Sequence, residues 1–62
     1  MRNLKALRAK HDFTQAELAK ILKISEVSYR NKENRKTQFK LQEARKISKL
    51  FAKSIEVIFF ND

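Results

Sequence analysis

The sequence predicts an all-α fold, a small bundle of five short helices, and three observations carry that expectation. Apolar residues recur at three- and four-residue spacing along nearly the whole chain, the period of one helical face. The 62 residues contain neither proline nor glycine, so the usual punctuation of turn-rich folds is missing. Thr14, Ser25 and Ser54 stand where the periodic segments begin, and hydroxyl side chains are favoured caps there.

The first helix runs to about His11, with Leu4 and Leu7 as an apolar pair against Lys5, Arg8 and Lys10. Asp12 and Phe13 make a tight connection. Thr14 and Glu17 have the spacing of a capping box, in which hydroxyl and carboxylate each satisfy the other residue's backbone amide. A second helix therefore starts there, with Leu18, Ala19, Ile21 and Leu22 as its apolar positions. Lys23 and Ile24 form a short break, Ser25 is the next cap, and a third helix covers about 26–34. At roughly 100° per residue, Glu26, Val27, Arg30, Asn31 and Asn34 share one arc, and Tyr29 and Lys32 fall on the far side. Leu41, Ala44, Ile47, Ser48 and Phe51 mark a fourth helix over about 41–52, with Arg45, Lys46 and Lys49 on its wet side. Ser54 caps a last short helix, 55 to about 59, whose Ile55, Ile58 and Phe59 close the core.

Composition narrows the chemistry. With no cysteine and a single histidine, His11, the chain has no thiol nucleophile, disulfide or histidine metal cluster, and no cofactor or metal is expected. A chain of this size buries only roughly 60% of its unfolded surface, which leaves little room for a lidded active site or a small-molecule substrate. Thr14 and Ser25 have no histidine placed as a base, and Asp12, Glu17, Glu33 and Glu43 are better explained by capping, pairing or solvent. Fifteen Lys and Arg against seven Asp and Glu give a net charge of +8, which points to a polyanionic partner, nucleic acid before anionic membrane. The charge is densest from Arg30 to Lys40, where five cations face one anion, Glu33. No apolar run approaches the ~20 residues of a membrane span, and no signal-peptide core is visible, so a soluble cytoplasmic chain with one domain over 1–62 is expected.

Two short helices joined by a tight turn, the second with a polar outward face, form a helix-turn-helix in physical terms. The wording matches as well. Thr14-Gln15-Ala16-Glu17-Leu18-Ala19, then Ile24-Ser25, Tyr29 and Lys32-Glu33-Asn34, resembles the Cro/CI (XRE-type) helix-turn-helix family. Leu41-Gln42-Glu43-Ala44-Arg45-Lys46-Ile47 and Ser54-Ile55-Glu56-Val57-Ile58-Phe59 continue the resemblance, which reaches from about Leu4 to Phe59. It implies a lambda-repressor-like five-helix bundle with its third helix in the major groove of double-stranded DNA, usually as a homodimer on a near-palindromic operator. Gln15 matches a phosphate contact, Ser25 a helix cap that also meets phosphate, and Glu26, Val27 and Asn31 base-reading positions. Asn34 and Lys36 match the backbone-contacting loop, and Arg8 and Glu33 a partly buried ion pair. Four positions depart from the pattern: Lys23 and Arg35 replace glycines, Phe39 replaces a proline, and Lys32 replaces an apolar core residue. A Lys-Glu pair with a later Phe resembles Cro-like proteins of phages and mobile elements.

The DNA-binding surface expected from these readings is Gln15, Ser25, Glu26, Val27, Ser28, Arg30, Asn31, Asn34, Arg35 and Lys36. A transcription regulator, in particular a repressor, is the leading expectation. The alternative is an antitoxin or antirepressor-type interaction module on the same fold, its basic surface meeting an acidic protein.

Overall fold

A computed structural model describes residues 1–60 and places four α-helices in the predicted order: α1 (Arg2–Lys10), α2 (Gln15–Leu22), α3 (Glu26–Glu33) and α4 (Leu41–Phe51). The fifth element, Glu56–Phe60, is a π-helical turn rather than the expected α-helix. Ser54 still begins it as foreseen, its hydroxyl accepting from the Val57 amide at 3.2 Å. The third helix is one residue shorter than the periodicity predicts, with Asn34 as its cap. Among the described residues there is no strand, and no helix is long and apolar enough to cross a membrane.

The starts of α2, α3 and α4 follow from their caps. Thr14 Oγ1 accepts from the Glu17 amide at 3.0 Å while Glu17 returns to the Thr14 amide at 2.9 Å, the full capping box. Ser25 Oγ accepts from the Ser28 amide at 3.0 Å. At α4 the cap position holds Lys40, and the satisfied group is its backbone amide, which donates to Glu43 at 2.8 Å.

All four α-helices end alike. Asp12, Lys23, Arg35 and Ala52 have φ between 53° and 63°, the left-handed region that favours glycine. In each case the next residue's amide reaches back five positions: Phe13 to Arg8, Ile24 to Ala19, Lys36 to Asn31 and Lys53 to Ser48. The left-handed residue itself reaches back three, which together is the Schellman closure. A chain without glycine thus keeps a geometry that glycine serves best. The family resemblance points to Lys23 and Arg35 as such positions; Asp12 and Ala52 are visible only in the structure.

The core gathers Leu4, Leu18, Ala19, Leu22, Tyr29, Ile47, Phe51 and Ile58, with Met1, Leu7, Phe13, Ile24, Phe39 and Phe59 packed around it. Phe51 meets the rings of Phe13 and His11, and Phe39 bridges Tyr29 and Phe59 edge-on. The π-turn packs on α1, where Asn3 donates to the Val57 carbonyl at 2.8 Å. Two expected core residues lie outside: Leu41 is 61% exposed and Ile21 39%. Leu41 is the first residue of α4 and Ile21 sits at the edge of the α2 stripe, so helical spacing alone places both too deeply.

Candidate nucleic-acid interface

The candidate interface is organised from beneath by one buried carboxylate. Glu33, the last residue of α3, is wholly enclosed, and every neighbour that reaches it is a donor. Arg8 of α1 approaches with two nitrogens, Nε to Oε2 at 3.1 Å and Nη2 to Oε1 at 3.4 Å. Tyr29 donates its hydroxyl to Oε2 at 2.6 Å, and Gln15 Nε2 donates to Oε1 at 3.0 Å. Arg8 also donates to the Phe13 carbonyl at 3.0 Å, tying in the α1–α2 turn. One carboxylate therefore holds α1, the start of α2 and the end of α3 in register. Burial pushes its acidity down, but the hydrogen bonds from Tyr29, Gln15 and Arg8 and the Arg8 charge outweigh burial and hold the carboxyl below its ordinary range. Burial, and then the bond and charge of Glu33, push the Tyr29 phenol well above its ordinary value, so it is a donor at any physiological pH. The expected Arg8–Glu33 pair is present, and it is the centre of a larger cluster than the pair alone.

This cluster fixes where the expected contact residues lie. Gln15, half-buried, is the first residue of α2, and its side chain is oriented by Glu33. A shallow cleft of about 530 Å³ runs from Arg8, Thr14, Gln15 and Ala16 to Glu26, so the α2 start and the first turn of α3 share one surface. On α3, Val27 is 59% exposed, an apolar side chain with no core to join. Glu26 and Arg30 are about half exposed and meet each other at 3.4 Å, one helical turn apart. Ser28 and Asn31 are partly exposed beside them. Exposed surface pairs of this kind are worth only ~0–1 kcal/mol, so the Glu26–Arg30 contact is easily exchanged for one with a ligand. Asn34, Arg35 and Lys36 follow on the exposed loop, whose course is set when the Asn31 carbonyl accepts from the Lys36 amide at 2.8 Å and the Thr37 amide at 3.4 Å.

Lys32 corrects a simple reading of the basic run. It is only 8% exposed, and its ammonium donates to Glu43 at 2.9 Å and to the Gln38 carbonyl at 3.2 Å, with the Phe39 ring 5.9 Å away. A charged pair thus stands where the family has an apolar core residue. Burial raises the Glu43 carboxyl, but the Lys40 amide, the Lys32 hydrogen bond and the charges of both lysines together leave it below its ordinary range. The sequence does not flag this pair, because a lysine in a basic run reads as solvated and its partner lies 11 positions on; the Lys40–Glu43 bond goes unflagged because Lys40 is not a capping residue type, although the two have the same three-residue separation as Thr14 and Glu17.

A capped two-helix unit with an exposed polar face on its second helix and a cationic loop behind it defines a helix-turn-helix DNA-binding module. Comparison with known families agrees: the helix-turn-helix family model matches residues 4–58. The chain belongs to the Cro/CI (XRE-type) helix-turn-helix family of DNA-binding transcription regulators. No curated protein and no solved structure matches it.

Proposed function

We propose that the chain is a sequence-specific repressor that reads the major groove with α3, binding as a homodimer to a near-palindromic operator. The observation that carries this reading is the shared surface of the α2 start and the exposed α3 face, locked together through Glu33. The two parts divide the work. Gln15, Ser25, Asn34, Arg35 and Lys36 stand at the edges, where a phosphate backbone runs beside a helix docked in the groove; the second amide proton of Gln15 and the Ser25 hydroxyl are suited donors. Glu26, Val27, Ser28, Arg30 and Asn31 occupy the face itself. Val27 suits a thymine methyl, Asn31 can pair with adenine, Glu26 can accept from the cytosine amino group, and Arg30, released from Glu26, reaches guanine or phosphate.

Dimerisation follows from how little one short helix can read. Regulators discriminate by ~10³–10⁷ over random DNA, and each well-made base contact supplies only ~1–3 kcal/mol, so two copies of α3 are needed. The π-turn offers the contact: Phe60 is 75% exposed and Val57 43%, while Phe59 turns inward onto Phe39. Two half-sites would then lie about 10–10.5 base pairs apart on one face of the duplex.

Titration with a random duplex at two salt concentrations, followed by selection of bound sites from a random pool, tests the reading. A steep loss of affinity with salt and recovery of a near-palindromic site are expected. Absence of duplex binding even at low salt would transfer the fold to the interaction-module class.

A further inference from the structure

We propose that Lys32 and Glu43 are positioning residues for DNA binding, a clamp that fixes the basic loop without touching DNA; this rests on the DNA-binding reading above. The loop joining α3 to α4 carries Arg35 and Lys36 at its exposed start and Lys40 at its end. Its first half is held by the Asn31 carbonyl, which takes the amides of Lys36 and Thr37. Among the described residues no equivalent backbone bond holds its second half. There the clamp acts on both sides of Phe39: Lys32 Nζ donates to the Gln38 carbonyl at 3.2 Å, and Glu43 Oε1 accepts from the Lys40 amide at 2.8 Å. The two side chains close on each other at 2.9 Å, and the bracketed Phe39 ring is pressed between Tyr29 and Phe59.

The physical choice at this site is informative. Replacing a buried ion pair by apolar side chains of similar volume is often neutral or stabilising, so stability alone does not account for a charged pair in place of an apolar residue. What an apolar residue cannot do is grip a carbonyl at 38 and, through its partner, an amide at 40. A loop pinned at both ends presents its cations without first losing conformational freedom, and loop ordering is a recurrent cost of association. Lys32 consequently adds nothing to the phosphate-facing charge: it belongs to the basic run in sequence but is neutralised inside the fold.

The test compares the parent chain with Lys32→Arg, Lys32→Met and the pair Lys32→Met/Glu43→Met, using random duplex across a salt series alongside urea unfolding. The pair variant is expected to unfold near the parental urea midpoint, because no charge is stranded and what is lost is the cap bond to the Lys40 amide and the bond to the Gln38 carbonyl. Its random-duplex affinity is nevertheless expected to fall about 3- to 10-fold, with a shallower salt slope, and the ratio of operator to random affinity to stay put. Lys32→Arg, which keeps charge and donors, should bind within about twofold of the parent. On the parent itself, amide hydrogen exchange should show Lys40 protected relative to Gln38. Parental binding with an indifferent pair variant, an affinity loss that merely tracks the urea midpoint, or a Lys40 amide exchanging as in an unfolded chain overturns the clamp. A parent that ignores random duplex overturns instead the DNA reading on which the clamp depends.

Discussion

Lys23→Gly tests the backbone geometry of the helix-turn-helix turn. Lys23 sits at φ 60° and ψ 42°, where an L-residue's Cβ crowds the following carbonyl at a cost of ~1–2 kcal/mol that glycine does not incur. Glycine also gains freedom in the unfolded chain, which returns ~0.4–1 kcal/mol to that state. The difference leaves a net stabilisation of about 0.5–1 kcal/mol, or about 2–8 °C in Tm for a chain of this size. Ala52→Gly is the comparison that removes no charge and no side chain beyond one methyl group, at φ 53° and ψ 42°. Because the two caps close different helices, the double substitution is expected to add to within ~0.5 kcal/mol. Urea midpoints at unchanged slope give the readout. A clear loss of stability in both variants would refute the reasoning, since it would mean that neither turn holds its residue in the left-handed region in solution. Gain at Ala52 with loss at Lys23 would place the error in the turn between α2 and α3 alone.

Glu33→Gln keeps the shape but removes the charge that Arg8, Tyr29 and Gln15 surround, and is expected to cost ~3–5 kcal/mol, a large share of the stability of so small a chain; chemical unfolding measures it. Glu33 and Glu43 both titrate below their ordinary value, so the unfolded chain takes up protons first: their stabilisation is complete above about pH 4.5 and drains away as pH falls further through the lowered folded values. A urea midpoint that stayed flat down to pH 2 would contradict that linkage. For Tyr29 the sign is opposite, because the folded state keeps the phenolic proton longer: stability should hold below about pH 10 and decline above it. Phe60→Asp places a charge on the proposed subunit contact, and sedimentation should show the two-chain complex on operator weakened while the monomer's melting is unchanged within about 0.5 kcal/mol.

Local chemistry was the most legible part of the sequence. Thr14 with Glu17, Ser25 and Ser54 mark helix starts because capping is a short-range bond between neighbours, and the structure makes each of those bonds. The stripe of Leu18, Leu22, Ile47, Phe51 and Ile58 was legible for the same reason, as period alone sets the face. Leu41 and Ile21 show the limit: period says which way a side chain points, and only tertiary packing says whether anything meets it there. The Glu33 cluster was visible in part, through the family pairing with Arg8, but its bonds from Gln15 and Tyr29 join residues 18 and 4 positions away and depend on how α2 seats on α3. Lys32 and Glu43 are the clearest case of what composition conceals. A lysine in a basic run looks solvated until the fold supplies a buried partner 11 positions on.

The central claim, that the α3 face reads bases while the following loop holds phosphate, is tested most directly by titrating Asn31→Ala and Lys36→Ala on selected operator and on random duplex across a salt series. Asn31→Ala is expected to cost ~1–3 kcal/mol on operator, relax preference at one position per half-site and leave random duplex nearly unaffected. Lys36→Ala should weaken both duplexes alike and make the salt slope shallower by about one for each subunit making the contact. Equal loss on both duplexes for Asn31→Ala, or a change of base preference for Lys36→Ala, would contradict the account and require α3 to dock by another face.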